Sequence, residues 1–385
     1  MSKVMICGYG SAGQYVLDFL LKDHRITPEM LECIYIVSRK SIEEVTPRIT
    51  ISAVSARIAE RYIPVKYFSC DFDNIEMMAE VIDNAKPDVI VYTGRFASGL
   101  KYGAFSYPND IGYGVWMPLS TVYIYKLMKA VKLSGVKTKV INTSFPDGVN
   151  PLLDSIGLAP YTGAGNINHL IPRIKKACSS IFNVEISDID IDFACSHFVN
   201  TYVSKEGTSR GCETKLQVVH RPSQTVLYTD IPNRLKTYEK YETFLKDKIF
   251  SLCKDKSASG QIRNQMIATD CAEIVRYLID PKSEGFIHVP GLEGLVGGLR
   301  GYAHNKEIVI ANSYFSVDER VEVNREGLFR DGVILLGNGI IQFTDEVIYK
   351  MKKVFDLTYP VLLPIEDFEE FAGEVRDVLN NYQKS

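Results

Sequence analysis

A short apolar run, Lys3-Val4-Met5-Ile6-Cys7, ends at a glycine and opens directly into Gly8-Tyr9-Gly10-Ser11-Ala12-Gly13. Few hexapeptides restrict a fold as tightly. A buried strand must turn at the first glycine, the second leaves the backbone open to a close-lying group, and the third lets the next helix pack against the strand. Helical spacing does follow, through Tyr15, Val16, Phe19 and Leu20. Glycines at this spacing also arise by chance in loops, so the weight of the motif comes from its setting between a strand and a helix. There the free N–H groups and the positive end of the helix dipole favour a phosphate.

Strands and helices continue to alternate. Cys33-Ile34-Tyr35-Ile36-Val37 predicts a second strand, residues 46–61 a helix, Val65-Lys66-Tyr67-Phe68 a third strand, 74–85 a helix and 87–92 a fourth strand. A helix over 117–134 and a strand over 139–142 complete the series. This alternation predicts a parallel, doubly wound sheet. With the glycine turn it defines an α/β Rossmann domain for dinucleotide binding over residues 1–145. Within it, residues 95–116 are rich in glycine and aromatics and lack a period, which predicts a lid over the site or a hydrophobic cover at a subunit interface. Residues 146–385 read as an α+β substrate and dimerisation domain. Its expected helices lie near 166–181, 238–254, 258–279, 345–354 and 366–381. Its expected strands lie at 186–195, 214–219, 224–229, 286–289, 306–311, 332–336 and 340–343.

The end of the second strand discriminates between cofactors. An NAD site normally places an Asp or Glu there for the ribose hydroxyls. Here the strand runs out in Val37-Ser38-Arg39-Lys40, with no acid before Glu43. Ser38 can hydrogen-bond a 2′-phosphate, and Arg39 and Lys40 can neutralise it. A solvated basic pair after a strand is the plainer alternative. The combination favours NADP(H), with NAD(H) as the other choice. The expected cofactor contacts are therefore Gly8, Tyr9, Gly10, Ser11, Ala12, Gly13, Ser38, Arg39 and Lys40, with Thr93, Gly94 and Asn142 at the ends of the next strands.

Several function classes are disfavoured. The net charge of -3 is spread along the chain without a basic stripe, which argues against nucleic acid. No apolar run approaches the ~18 residues of a membrane span. The eight cysteines lie singly, several within apolar runs, as expected in a reducing cytosol rather than in a disulfide scaffold or zinc site. The six histidines show no metal-ligand spacing, and no hydrolase elbow or phosphate-cradling Gly-x-x-x-x-Gly-Lys is present. A soluble, cytoplasmic protein acting on a small molecule is expected.

The order of motifs resembles the lactate/malate dehydrogenase superfamily, and the opening is also similar to saccharopine and opine dehydrogenases. The resemblance rests on Tyr92-Thr93-Gly94-Arg95 entering the aromatic stretch, on Val140-Ile141-Asn142-Thr143-Ser144-Phe145-Pro146-Asp147, and on Gly163-Ala164-Gly165-Asn166-Ile167-Asn168-His169 with Arg173 beyond. It ends in Phe193-Ala194-Cys195-Ser196-His197. It implies a homodimer, Asn142 at the nicotinamide ribose and substrate, Arg173 as a carboxylate clamp, and His197 as the acid/base. The departures are specific. Ser196 and Phe198 flank the histidine where the family has glycines, and the double-arginine lid is reduced to Arg95 and Lys101. The orienting acid falls where this chain has Asn168 or His169.

Chemistry points to the same residues. Reducing a carbonyl or imine needs a proton donor that titrates near neutrality. His197 is the first choice, against a plain strand-end histidine, and His169 at a helix start is its rival. Arg95, Lys101 and Asn168 are candidates for substrate contact, and Asn200 and Tyr202 for the pocket wall. The glycine-rich segment 288–298 predicts close backbone approaches or tight turns. The expected activity is NADPH-dependent hydride transfer to a keto acid or imine. A non-catalytic NADP(H)-binding regulator is the alternative, favoured by the absent orienting acid.

Overall fold

The computed structural model describes residues 1–58, 60–230, 239–254 and 260–382. Residue 59 of the expected helix 46–61, residue 238 of 238–254 and residues 258–259 of 258–279 lie outside these. The N-terminal half alternates β1 (Ser2–Cys7), α1 (Ser11–Lys22), β2 (Leu31–Ser38), α2 (Ile42–Arg57), β3 (Val65–Ser69), α3 (Ile75–Ala85) and β4 (Val89–Tyr92). It continues through α4 (Gly99–Ser106), α5 (Met117–Ser134), β5 (Lys139–Asn142), α6 (Pro146–Asp154) and β6 (Thr162–Gly163). The six strands form one parallel sheet in the order β3-β2-β1-β4-β5-β6, the Rossmann order. The sheet thus takes its last strand from beyond residue 145.

Because side chains of a strand alternate between faces, β1 and β2 feed two cores. Met5, Cys7, Tyr35 and Val37 join Met78 and Ile82 of α3 and Leu127 of α5 on one face. Val4, Ile6, Ile34 and Ile36 join Val16, Leu17 and Leu20 of α1 on the other. These apolar strands are buried on both faces, as a parallel sheet requires.

The second half contributes α7 (Ile167–Phe182), β7 (Ile189–Ala194), α8 (His197–Glu206), β8 (Lys215–His220), β9 (Thr225–Thr229), α9 (Glu239–Leu252) and α10 (Asn264–Ile279). Then follow β10 (Gly285–Pro290), β11 (Gly298–His304), β12 (Glu307–Ile310), α11 (Val317–Arg330), β13 (Val333–Gly337) and β14 (Ile340–Phe343). The chain ends with α12 (Asp345–Phe355), β15 (Leu362–Pro364) and α13 (Phe368–Asn381). Nine strands make three antiparallel sheets, β7-β8-β9, β10-β11-β12 and β13-β14-β15. Two helices of this half return to the Rossmann layers. α10 lays Ala268, Cys271 and Val275 in the core shared with α1, and α13 lays Phe371 and Val375 in the core shared with α5. No helix among the described residues is long and apolar enough to cross a membrane.

Residues 95–116, expected as a lid or as a hydrophobic cover at a subunit interface, pack onto the C-terminal helices. They hold α4 and a single 3₁₀ turn, Tyr113–Trp116, with Tyr102 and Trp116 buried and Tyr107 exposed. Trp116 is fully buried and donates its indole N–H to Ser106 Oγ at 2.6 Å. Phe105 meets Phe355 of α12 edge-on, with ring centroids 5.4 Å apart. Burying this much aromatic surface against the C-terminal helices removes it from solvent and fixes the segment.

Candidate active site

The glycine turn has the geometry of a nucleotide cradle. Gly8 has φ +105°, and a Cβ there would lie 2.6 Å from Gly94 N, so only glycine lets the ends of β1 and β4 approach. A Cβ at Gly13 would lie 2.1 Å from Gly8 O, which explains the close packing of α1 on β1. A Cβ at Gly10, by contrast, would meet nothing within 4 Å. Gly10 is the N-cap of α1 without any side-chain cap, leaving the helix N-terminal N–H groups open to a ligand. Thr93 Oγ1 donates to Gly8 O at 2.7 Å and ties the two strand ends together. Ser11 Oγ receives the Asn264 amide at 2.6 Å, bringing the start of α10 to this turn. The residues present therefore fit a dinucleotide pyrophosphate. Tyr9 lies in the core beside α1, away from the open space.

At the end of β2, Ser38 is buried and its hydroxyl is shared with Tyr67 at 2.9 Å and Lys40 N at 3.3 Å. Arg39 and Lys40 are exposed. Arg39 Nη1 donates to Tyr123 Oη at 3.2 Å and its guanidinium lies 5.6 Å from that ring, so α5 holds this cation at the strand end.

The residues expected to meet substrate separate into two groups. His197 begins α8, packed on Tyr113 (centroids 4.3 Å apart) and edge-on to Phe145 (5.3 Å), just past β5. Its Nδ1 lies 3.2 Å from Asp331 Oδ2, and Asp331 also accepts Tyr113 N–H at 3.0 Å. Asp331 is the C-cap of α11, 3% exposed and 134 residues from the histidine. Asp331 thus places a carboxylate at Nδ1, where residues 168 and 169 offer no acid. Burial pushes the imidazole toward its neutral form. The charge and hydrogen bond of Asp331, aided by Asp147 and opposed by Arg263, outweigh burial and raise its pKa above the ordinary value.

Asp147 is the second acid. It is 2% exposed, accepts the Asn166 amide through Oδ2, and its Oδ1 is buried without a hydrogen-bond partner among the described residues. Burial raises its pKa to about 6, against the lowering influence of His197 and Asn166.

His169 stands in a separate cluster. Its Nε2 is 3.0 Å from Asp270 Oδ2 in an orientation that forms no hydrogen bond, while Asn168 donates to Asp270 Oδ1 at 2.8 Å. Arg173 is committed to the scaffold: it donates to His169 O at 3.0 Å, Ser204 Oγ at 3.0 Å and Cys253 O at 3.3 Å. Asn142 is fully buried, donating to Asn150 Oδ1 at 2.9 Å and accepting Ser144 N–H at 2.8 Å. Both were expected to reach toward substrate; instead Arg173 is engaged by His169 O, Ser204 Oγ and Cys253 O, and Asn142 by Asn150 and Ser144. Arg95 remains at the strand ends, half-buried and donating to Thr143 O at 2.8 Å. Lys101 points the other way, to Asn380 Oδ1 at 3.0 Å. Asn200 Oδ1 is buried without a hydrogen-bond partner among the described residues, and Tyr202 Oη donates to Asp110 at 3.1 Å. Asp331, Asp147 and Arg263 were not singled out by sequence. Asp147 follows Pro146 within the matched segment, but nothing local marks the other two.

No protein-family model matches the chain, and no curated protein matches its sequence. Solved structures do. The malate dehydrogenase of Cryptosporidium parvum superposes over 86% of this chain and 97% of its own, with a TM-score of 0.53 and 14% identity. That of Plasmodium falciparum, solved with NADH, covers 86% and 96%, with a TM-score of 0.51 and 14% identity. The 6-phospho-β-glucosidase of Thermotoga maritima, solved with NAD and glucose-6-phosphate, covers 100% and 99%, with a TM-score of 0.54 and 10% identity. The likeness gives the fold, a Rossmann domain carrying the α+β half expected from the lactate/malate dehydrogenase resemblance. It also accounts for the long C-terminal half, since the glucosidase extends over all of it.

Proposed function

We propose that the chain is an NADP(H)-dependent oxidoreductase acting on a small carbonyl or imine substrate, with His197 as its acid/base. The observation that carries this reading is the buried His197–Asp331 pair just past β5, on a sheet whose first turn fits a dinucleotide. A bound nicotinamide supplies the hydride. His197 then gives the proton from Nε2 to the substrate oxygen or nitrogen, while Asp331 at Nδ1 fixes the tautomer and stabilises the imidazolium before transfer. Phe145 and Tyr113 keep water from the ring. Arg95 meets an anionic substrate group at the strand ends, and Asn142 and Arg173 act by holding the turn after β5 and the start of α7. His169 with Asn168 and Asp270 forms a separate polar cluster that this step does not use. Asp331 beside His197 supports this reading over the non-catalytic NADP(H)-binding alternative, which was favoured by a missing acid.

Arg39, steered by Tyr123, and Lys40 support NADP(H) over NAD(H). Eight buried, unpaired cysteines support a reducing cytoplasm, and the fold is compatible with a homodimer. The experiment is NADPH oxidation across a panel of 2-keto acids, alone and with primary amines, by wild type and His197→Gln. Turnover reduced about 10²- to 10⁴-fold with unchanged NADPH affinity supports the assignment. Equal turnover by the variant refutes it.

A further inference from the structure

A second cation-lined space lies on the side of segment 95–106 that faces the C-terminal helix. It is a cavity of about 220 Å³ between the start of α4 and α13, lined by Ala97, Ser98, Lys101, Tyr102, Arg376 and Leu379 together with Asn380. Tyr102 and Leu379, both buried, make its apolar floor. Its two charged side chains are both cations. Among the described residues Lys101 Nζ has one hydrogen-bond partner, a neutral one, the Asn380 amide oxygen at 3.0 Å. Arg376 lies over the Phe96 ring at 4.8 Å, and its acidic partner is the neighbouring Asp377 at 3.3 Å. Asp377 is 68% exposed, so water screens that pair, and among the described residues no carboxylate lines the cavity itself.

Two cations at one concave space, one paired only with a screened, exposed acid outside it, repel each other, and a compact oxyanion is the chemistry that relieves this. We propose that this cavity is an oxyanion-binding site, taking a phosphate or carboxylate group between Lys101 and Arg376. It is separate from the dinucleotide cradle and does not depend on the proposed reaction. The occupant joins α4 to α13, and so braces the same segment whose other end carries Arg95 at the strand ends.

The test is calorimetric titration of the purified chain with sodium phosphate and, separately, sodium acetate, at constant ionic strength maintained with sodium chloride. Lys101→Met, Arg376→Met and the double variant are run in parallel; Lys101 is exposed and Arg376 half-exposed, so all three should fold. We expect saturable binding that weakens about tenfold in each single variant and vanishes in the double variant. Phosphate seating on the glycine turn appears as a component that survives in the double variant and is lost in Gly10→Ala. Binding identical in wild type and double variant, or no saturable binding of either anion, overturns the proposal. Neither result bears on NADPH binding, which is measured separately.

Discussion

Replacing Asp331 by Asn keeps the size and one hydrogen-bond acceptor beside His197 but removes the charge. In wild type the imidazolium is stabilised by a carboxylate 3.2 Å away in a buried setting. A group whose folded pKa is raised contributes stability that is fully present below its unfolded value, about 6.5 for histidine, and is lost as pH rises through the folded value. The variant therefore loses most at low pH. At pH ~5.5 the charged pair is broken, which costs about 3 kcal/mol. At pH ~8.5, with the histidine neutral, only a hydrogen bond is weakened, at about 1 kcal/mol. For a chain of 385 residues that is a fall in Tm of roughly 4 °C at the lower pH and roughly 1 °C at the higher. Thermal unfolding of both proteins by circular dichroism at the two pH values measures the difference. Asp147 and Arg263 act on His197 in both proteins, so their influence largely cancels. An equal loss at both pH values, or a larger one at pH ~8.5, refutes the coupling.

Gly10→Ala should leave stability within about 0.5 kcal/mol, because its Cβ meets no protein atom and φ is -79°. It should nevertheless weaken dinucleotide binding tenfold or more, since that Cβ occupies the space open to the pyrophosphate; fluorescence titration reads it. Gly13→Ala should fail in both respects, its Cβ falling 2.1 Å from Gly8 O. Asp147, with its pKa near 6, is penalised when ionised. Its raised value gives stability present below pH ~4 and lost as pH rises through ~6, so Asp147→Asn should gain on wild type by up to about 3 kcal/mol between pH ~4 and ~8 in urea melts. All eight cysteines are buried, and burial raises the thiols of Cys70 to about 11 and of Cys178, Cys212 and Cys253 to about 12. A thiol reagent should therefore label none quickly in the native state and all eight in denaturant.

Local signals were strongest where one physical requirement dominates. The parallel strands β1, β2 and β5 announce themselves as apolar runs, and Met117–Ser134 was legible from its apolar period and the Gly135 stop. Elements with mixed signals were passed over. Pro146–Asp154 carries Pro146, Gly148 and Pro151, which read as a turn, yet Pro146 is at the helix start where no N–H is needed. Val317–Arg330 is highly charged, although its Ser316–Glu319 capping box was there to be read. Gly298–His304 starts at the end of the glycine-rich stretch 288–298 and carries Gly298 and Gly301, and its pairing, His288 against Arg300, arises only in the folded chain. The site divides the same way. The glycine turn is legible from spacing and His197 from the family resemblance, whereas Asp331 reaches His197 only after the chain folds across 134 residues. Arg173 and Asn142 matched by position, but position does not reveal that Ser204, Cys253, Ser144 and Asn150 claim their polar atoms.

The central claim is that the first turn holds a nicotinamide dinucleotide, read at its ribose by Arg39. Titrating the purified chain with NADPH and NADH, beside Arg39→Ala, tests it most directly. The account predicts saturable binding of NADPH, tighter than NADH, with NADPH affinity falling about tenfold to a hundredfold in the variant while NADH is little changed. Saturation by neither nucleotide contradicts the account, leaving the glycines as a tight turn alone.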